Sequence, residues 1–285
     1  MPYFLLVIIF LILSGQALSQ GGPVSQAGNL LNPEISLDGL FAAGYFSEPD
    51  NLQFGAHDPN DRGFTLQNLE LTMAGNVDPY FRAESHLIFG FEGGESIVEI
   101  EEAYVTTLSL PYGLQIIGGQ FFTRFGRQNP IHPHAWDFAD QTIVNTLMFG
   151  GDGLRNPGVQ VSSLLQLPFY LELIGSVQNS KGETATSFLF SPEETFAGRP
   201  VVKQEVHGLN DLLYMARLKT SFDLTDTISL VAGTSHLFGP NGTGEDEGTS
   251  IHGVDLYLKW RPLMTDHGWP FVVLQGEAMS RSYEA

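Results

Sequence analysis

YFRAESHLIFGF, residues 80–91, has two opposite characters along one extended run. Phe81, Ala83, Leu87, Phe89 and Phe91 fall on one side, and Arg82, Glu84 and His86 on the other, because successive side chains alternate across a strand. FYLELIGSVQ (169–178) repeats the pattern, with Phe169, Leu171, Leu173 and Val177 opposite Tyr170, Glu172, Ser176 and Gln178. GVDLYLKWR (253–261) sets Val254, Leu256, Leu258 and Trp260 against Asp255, Tyr257, Lys259 and Arg261. Weaker alternation near 34–46, 64–75, 98–109, 114–122, 158–167, 211–222, 227–238 and 271–282 brings the expectation to about eleven strands. No 18-residue apolar run lies beyond residue 30, so membrane-spanning helices are not expected there.

The connections alternate in length. NVDPY (76–80), LPYG (110–113), QLPF (166–169), DLTDT (223–227) and PLMTDHGWP (262–270) carry the Pro, Asp, Asn and Gly of turns. Longer polar stretches are expected at 47–63, 92–97, 123–157, 179–210 and 239–250. Short turns at one end and long loops at the other are the layout of a transmembrane β-barrel, not of a Greek-key sandwich. Strands of about 10–13 residues also match the 9–11 that cross a bilayer on a tilt.

The polar face settles which side would meet lipid. Arg82, Glu84, His86, Glu172, Arg217, Lys219, Asp255, Lys259, Arg261 and Glu277 all lie on it. A lysine or arginine facing lipid at mid-bilayer costs about 2–4 kcal/mol, whereas one facing a watery lumen costs little. These ten residues are therefore the expected pore lining. Tyr45, Tyr80, Phe81, Tyr112, Phe169, Tyr170, Trp260 and Trp269 fall near strand ends, where aromatic girdles sit. The predicted class is all-β, a transmembrane antiparallel up-and-down β-barrel with about eleven strands present. Because the chain stops at SRSYEA, a C-terminally truncated barrel is expected. A secreted, soluble β-sandwich with one wet face per sheet is the alternative.

The N-terminus, MPYFLLVIIFLILSGQALSQ, has an apolar core too short to span a bilayer, followed by small residues before Gln20. It reads as a signal peptide over 1–19, then a short periplasmic segment at 20–32 and the partial barrel at 33–285. No lysine or arginine precedes the core, so an uncleaved anchor stays open. Net charge −19 with 13 scattered basic residues argues against nucleic acid as a partner. The absence of cysteine excludes disulfides, thiolate metal sites and thiol nucleophiles.

GGQFFTRFGRQNPIHPHAWDFADQ (118–141) concentrates the polar chemistry. His132-Pro133-His134 is held extended by proline, so both imidazoles point one way and could meet one zinc ion with Asp137 or Asp140. The competing reading makes this the root of a loop folded into the barrel, a constriction built from Arg124, Arg127, Trp136, Asp137, Asp140 and Arg155. Glu99, Glu101 and Glu102 read as a solvated strand start rather than a cation site, and no acid–base duty is assigned to His86 and Glu84. There is no Gly-x-Ser-x-Gly, P-loop or dinucleotide fingerprint, and no nucleophile is set beside a base, so an enzyme is not expected. No cofactor is expected beyond the zinc option at His132, His134 and Asp137.

GGQFFTRFG (118–126) resembles a stretch of the Gram-negative outer-membrane porin superfamily, including its phosphate-selective group. NVDPYFRAE (76–84), residues 101–138 and LQLPFYLELIGSVQ (165–178) are similar to uncharacterised outer-membrane proteins, some of them described as zinc-regulated TonB-dependent receptors. The resemblance covers about residues 60–180. It implies a bacterial outer-membrane location, lipid as neighbour, small hydrophilic solutes as cargo and a homotrimer as an assembly common among porins. About 15 residues separate the expected cleavage from the first strand, too few for an N-terminal plug. Loops rich in Glu48, Asp50, Asp58, Asp61, Glu92, Glu95, Glu245, Asp246 and Glu247 favour cations over phosphate. The functions open at this point are a passive channel, a zinc-binding uptake receptor and a soluble secreted β-protein.

Overall fold

The structure, a computed structural model, describes residues 33–46, 55–59, 62–92, 95–189, 195–196, 198–202 and 205–285. The expected signal peptide and periplasmic segment (1–32), and Glu48, Asp50 and Asp61, lie outside the described residues.

Among the described residues, eleven strands form one antiparallel sheet in which each pairs with its neighbour in the order of the chain. They are β1 (Glu34–Gly44), β2 (Gly63–Asn76), β3 (Phe81–Glu92), β4 (Glu95–Thr107), β5 (Leu114–Phe122), β6 (Arg155–Leu164) and β7 (Tyr170–Asn179), continued by β10 (Leu212–Thr225), β11 (Ile228–Pro240), β12 (Gly248–Trp260) and β13 (Val272–Tyr283). Between β7 and β10 a two-residue pair, β8 (Thr195–Phe196) and β9 (Arg199–Pro200), makes a separate hairpin. Among the described residues one α-helix, α1 (Ile143–Phe149), is present, inside the segment joining β5 to β6.

Three connections differ from the sequence expectation. Residues 93–94 alone separate β3 from β4, because Glu92 and Glu95 pair in the ladder instead of looping out. β12 starts at Gly248, its polar Thr249 and Ser250 paired with Tyr283 and Ser282, so the loop before it shrinks to 241–247. Arg155 belongs to β6 rather than to the long loop. Pro157 pairs with Gln120 of β5 one residue before pairing to β7 begins at Gly158, so it stands at the unpaired end of the β7 side. The long connections are therefore 45–62, 123–154 and 180–211.

The alternating faces are inverted relative to a water-soluble sheet. Ile35, Leu37, Val98, Val159, Leu173, Leu218, Val254, Leu256 and Leu274 are exposed on one face. His86, Gln160, Ser176, Gln178, Arg217 and Asp255 are buried on the other. The buried face is partly apolar where loops cover it: Phe125, Phe149, Leu154 and Phe188 pack with strand residues Ile174, Leu213, Met215, Leu237 and Ile251.

The 123–154 segment also measures how far the sheet bends. The Gln128 N–H donates to Glu277 on β13 at 3.1 Å, and four residues later His132 Nδ1 lies 3.3 Å from Glu70 on β2. A flat sheet would set β2 and β13 roughly 43 Å apart at about 4.8 Å per strand. The chain between the two contacts turns, the Ile131 N–H bonding the Gln128 carbonyl. That bridge, side chains included, spans roughly 30 Å at most. The sheet is strongly curled, and the segment lies in its concavity.

Candidate functional site

On one side of the concavity, three neighbouring strands and the loop bring seven titratable side chains together. β2 supplies Glu70, β3 supplies Glu84 and His86, β4 supplies Glu101 and Glu102, and the loop supplies His132 and His134. A β-bulge makes this grouping. His86 is paired with Glu102 and Leu87 with Ile100, leaving Glu101 as the extra residue. At a bulge the alternation breaks, and here both Glu101 and Glu102 are buried against the loop instead of pointing to opposite faces. The reading of these glutamates as a solvated strand start is corrected accordingly.

The histidines share one arrangement. His86 Nδ1 lies 2.6 Å from Glu70 Oε1 and its Nε2 3.0 Å from Glu84 Oε1. His132 Nδ1 lies 3.3 Å from Glu70 Oε2 and 2.8 Å from Glu101 Oε2, while its Nε2 is 2.9 Å from Glu102 Oε2. His134 Nδ1 reaches Glu70 Oε2 at 3.0 Å. The His86 and His132 rings are 4.5 Å apart. Glu84, two residues from His86 on the same face, is thus its direct partner and also accepts the Tyr104 hydroxyl. Burial works against a His132 imidazolium, but contacts with Glu101, Glu102 and Glu70 outweigh it and hold the ring well above its ordinary pKa. His132-Pro133-His134 is extended at His132, then makes a single 3₁₀ turn over 133–135 that half-exposes His134.

The loop is tied to the opposite side as well. Glu277 on β13 accepts the Arg127 and Gln128 N–H groups, and Ser235 on β11 accepts that of Gly126. The Arg127 guanidinium stacks 4.1 Å over Tyr257 and donates to Gln275. Gln275 donates in turn to Asp137. Asp137 is therefore engaged on β13, apart from the histidines with which the sequence groups it. Asp140 is exposed, and the Trp136 indole donates to the Ile131 carbonyl.

Most of the remaining predicted lining residues lie on the concave face beside a charged or aromatic partner. Arg217 reaches over β11 to Asp255 with two bonds of 2.8 and 3.0 Å, and shares the Ser235 hydroxyl. Arg124 approaches Glu172 at 3.5 Å, and Arg82 meets Glu34 at 2.7 Å. Arg155 is buried against Glu99 and the Phe122 ring. Lys219 and Lys259 sit over Tyr170 and Phe271. The Arg261 side chain is exposed beyond the end of β12. The residues that sequence reading missed are Glu70, which β2's weak alternation left unmarked, and the glutamate pair, whose common face depends on a bulge.

No protein-family model matches the chain. An uncharacterized protein of Aquifex aeolicus (strain VF5) is 36% identical over 233 residues, which is 78% of this chain and 46% of that protein. The chain spans about half the length of the curated relative it matches.

Proposed function

We propose that this chain forms the wall of an outer-membrane, porin-like channel through which small hydrophilic solutes or ions diffuse passively, with the 123–154 segment as its constriction. The observation that carries this reading is the inversion of the sheet. Large aliphatic side chains stand exposed along the convex face, while Arg217, Asp255, Gln160 and Gln178 are buried on the concave one. In water each such Leu, Ile or Val would forfeit about 1.5–3 kcal/mol of burial; against lipid it forfeits little. Strands of 9 to 14 residues fit a bilayer on a tilt. Tyr80, Phe81, Tyr112, Phe169 and Trp269 are exposed at the end with the shorter turns, a place that suits an interfacial girdle.

Closure into a barrel, insertion into the outer membrane and the preference for cations set by a net charge of −19 are parts of this proposal. Membrane fractionation, heat-dependent gel mobility and planar-bilayer recording test it. Expected are extraction only by detergent, a mobility shift on boiling, and steady conductance steps with a reversal potential favouring cations under a salt gradient. A chain that dissolves without detergent and gives no conductance overturns the reading.

A further inference from the structure

Glu70, His86 and His132 each offer one ligand atom within 4.8 Å of the other two. Three features of these residues go beyond a chance meeting of charges. Glu70 Oε2, Glu101 Oε2 and His132 Nδ1 are fully buried yet make no hydrogen bond, although the two oxygens lie 3.3 and 2.8 Å from that nitrogen. Glu70 and Glu101 are 0% and 1% exposed, so water cannot repay these oxygens directly from bulk. Both carboxylate oxygens meet the same ring nitrogen, without hydrogen-bond geometry. A tetrahedral metal with bonds of 2.0–2.1 Å separates its ligand atoms by about 3.3 Å. The His132 Nδ1–Glu70 Oε2 separation of 3.3 Å matches that value, and His86 Nδ1 stands closer to Glu70 Oε1, at 2.6 Å.

The second feature is the use of the two ring nitrogens. In both His86 and His132, Nδ1 faces Glu70 while Nε2 faces a different glutamate, Glu84 for one and Glu102 for the other. That is the carboxylate–histidine–metal order, in which the outer carboxylate fixes the tautomer and leaves the inner nitrogen's lone pair to the metal. The third feature is the donor set. Imidazole with carboxylate and no sulfur suits zinc-like transition metals, whereas calcium and magnesium take oxygen alone.

We propose that Glu70, His86 and His132 bind one divalent transition-metal ion of the zinc class, with Glu101 or His134 completing the shell and Glu84 and Glu102 orienting the imidazoles. Two ligands come from wall strands and one from the loop, so the ion pins the loop root to the wall. Metal binding at this site is independent of whether the wall conducts.

The test uses the full chain folded in detergent, stripped with chelator and titrated with zinc chloride by calorimetry. One zinc per chain at micromolar affinity or tighter is expected, undisturbed by millimolar calcium or magnesium. His86→Ala and His132→Ala weaken binding at least tenfold, Glu84→Gln weakens it about tenfold through the imidazole it orients, and Asp137→Ala leaves it unchanged. X-ray absorption of the zinc-loaded wild-type protein, which needs no variant to fold, shows two imidazoles at about 2.0–2.1 Å. Millimolar affinity, substoichiometric uptake, histidine variants that bind as tightly as wild type, or a shell without imidazole would each overturn the site and leave an imidazolium–carboxylate cluster in its place.

Discussion

Glu277 accepts the backbone N–H of Gln128 at 3.1 Å across 149 residues of chain. Its carboxylate also takes the Arg127 N–H, while four residues past Gln128 His132 is held by glutamates of β2 and β4. The segment is thus clamped between opposite regions of a curled sheet. Its position is fixed by the wall and not by its own secondary structure, of which α1 is the largest piece.

Removing the clamp on the β13 side should free the loop without dissolving the sheet. Glu277→Ala leaves two inward backbone donors unpaired, a cost of about 1–3 kcal/mol each where water cannot reach them. The expected result is faster proteolysis within 127–142 and larger, noisier conductance steps than wild type, with unchanged β-content by circular dichroism. Unchanged cleavage rates would show that Arg127 and Ser235 hold the loop unaided.

The Arg217–Asp255 pair, 4% and 3% exposed at its side chains, makes an asymmetric prediction. Asp255→Ala strands a buried guanidinium and should lower stability by about 3–5 kcal/mol. Replacing both partners, Arg217→Met with Asp255→Leu, should recover most of that loss. Urea midpoints of the folded chain in lipid vesicles measure both, and equal losses would mean that the single variant's defect is not an orphaned charge.

Val254, at the centre of β12 and exposed, separates lipid from water as the medium of the convex face. Val254→Arg should cost about 2–4 kcal/mol if that face meets mid-bilayer, but stay within about 0.5 kcal/mol if it meets water. Lys219→Gln on the concave face should be near neutral in either medium. The same vesicle-unfolding assay reads both variants, and a neutral Val254→Arg would remove the membrane reading.

Most of the sheet was legible in the sequence because side-chain alternation is a local property. Arg82, Glu84 and His86 lie on the concave face as their spacing demands, and so do Glu172, Arg217, Asp255 and Glu277. What alternation cannot encode is its own interruption. The bulge opposite His86 and Leu87 depends on the pairing of two strands, so nothing in the string GESIVEIEEAY marks Glu101 and Glu102 as sharing a face. The same limit hid Glu70 as the carboxylate nearest His132 and His134. Sequence proximity named Asp137 instead, whereas the turn after His134 carries that side chain toward Gln275. Helix α1 escaped notice because seven residues are too few to develop an amphipathic period.

Two adjacent glycines give the sharpest backbone prediction, because their surroundings differ while their sequence context does not. Gly118 has nothing within 4 Å of where a Cβ would stand. At Gly119, φ is +136° and an added Cβ would lie 2.2 Å from the Ala103 carbonyl oxygen and 2.6 Å from the Tyr104 Cα. Both of those are backbone atoms of β4, directly after the bulge that presents Glu101 and Glu102, so no side-chain rotation relieves the contact. Gly118→Ala should therefore shift the urea midpoint little. Gly119→Ala should cost about 2 kcal/mol or more, as substitutions at left-handed, crowded positions do, and should loosen the pairing of β4 with β5. Because that pairing seats the two glutamates, zinc affinity should fall with Gly119→Ala and hold with Gly118→Ala. Equal behaviour of the two variants in both measurements would show that the approach of β5 to β4 is not what positions the glutamate pair.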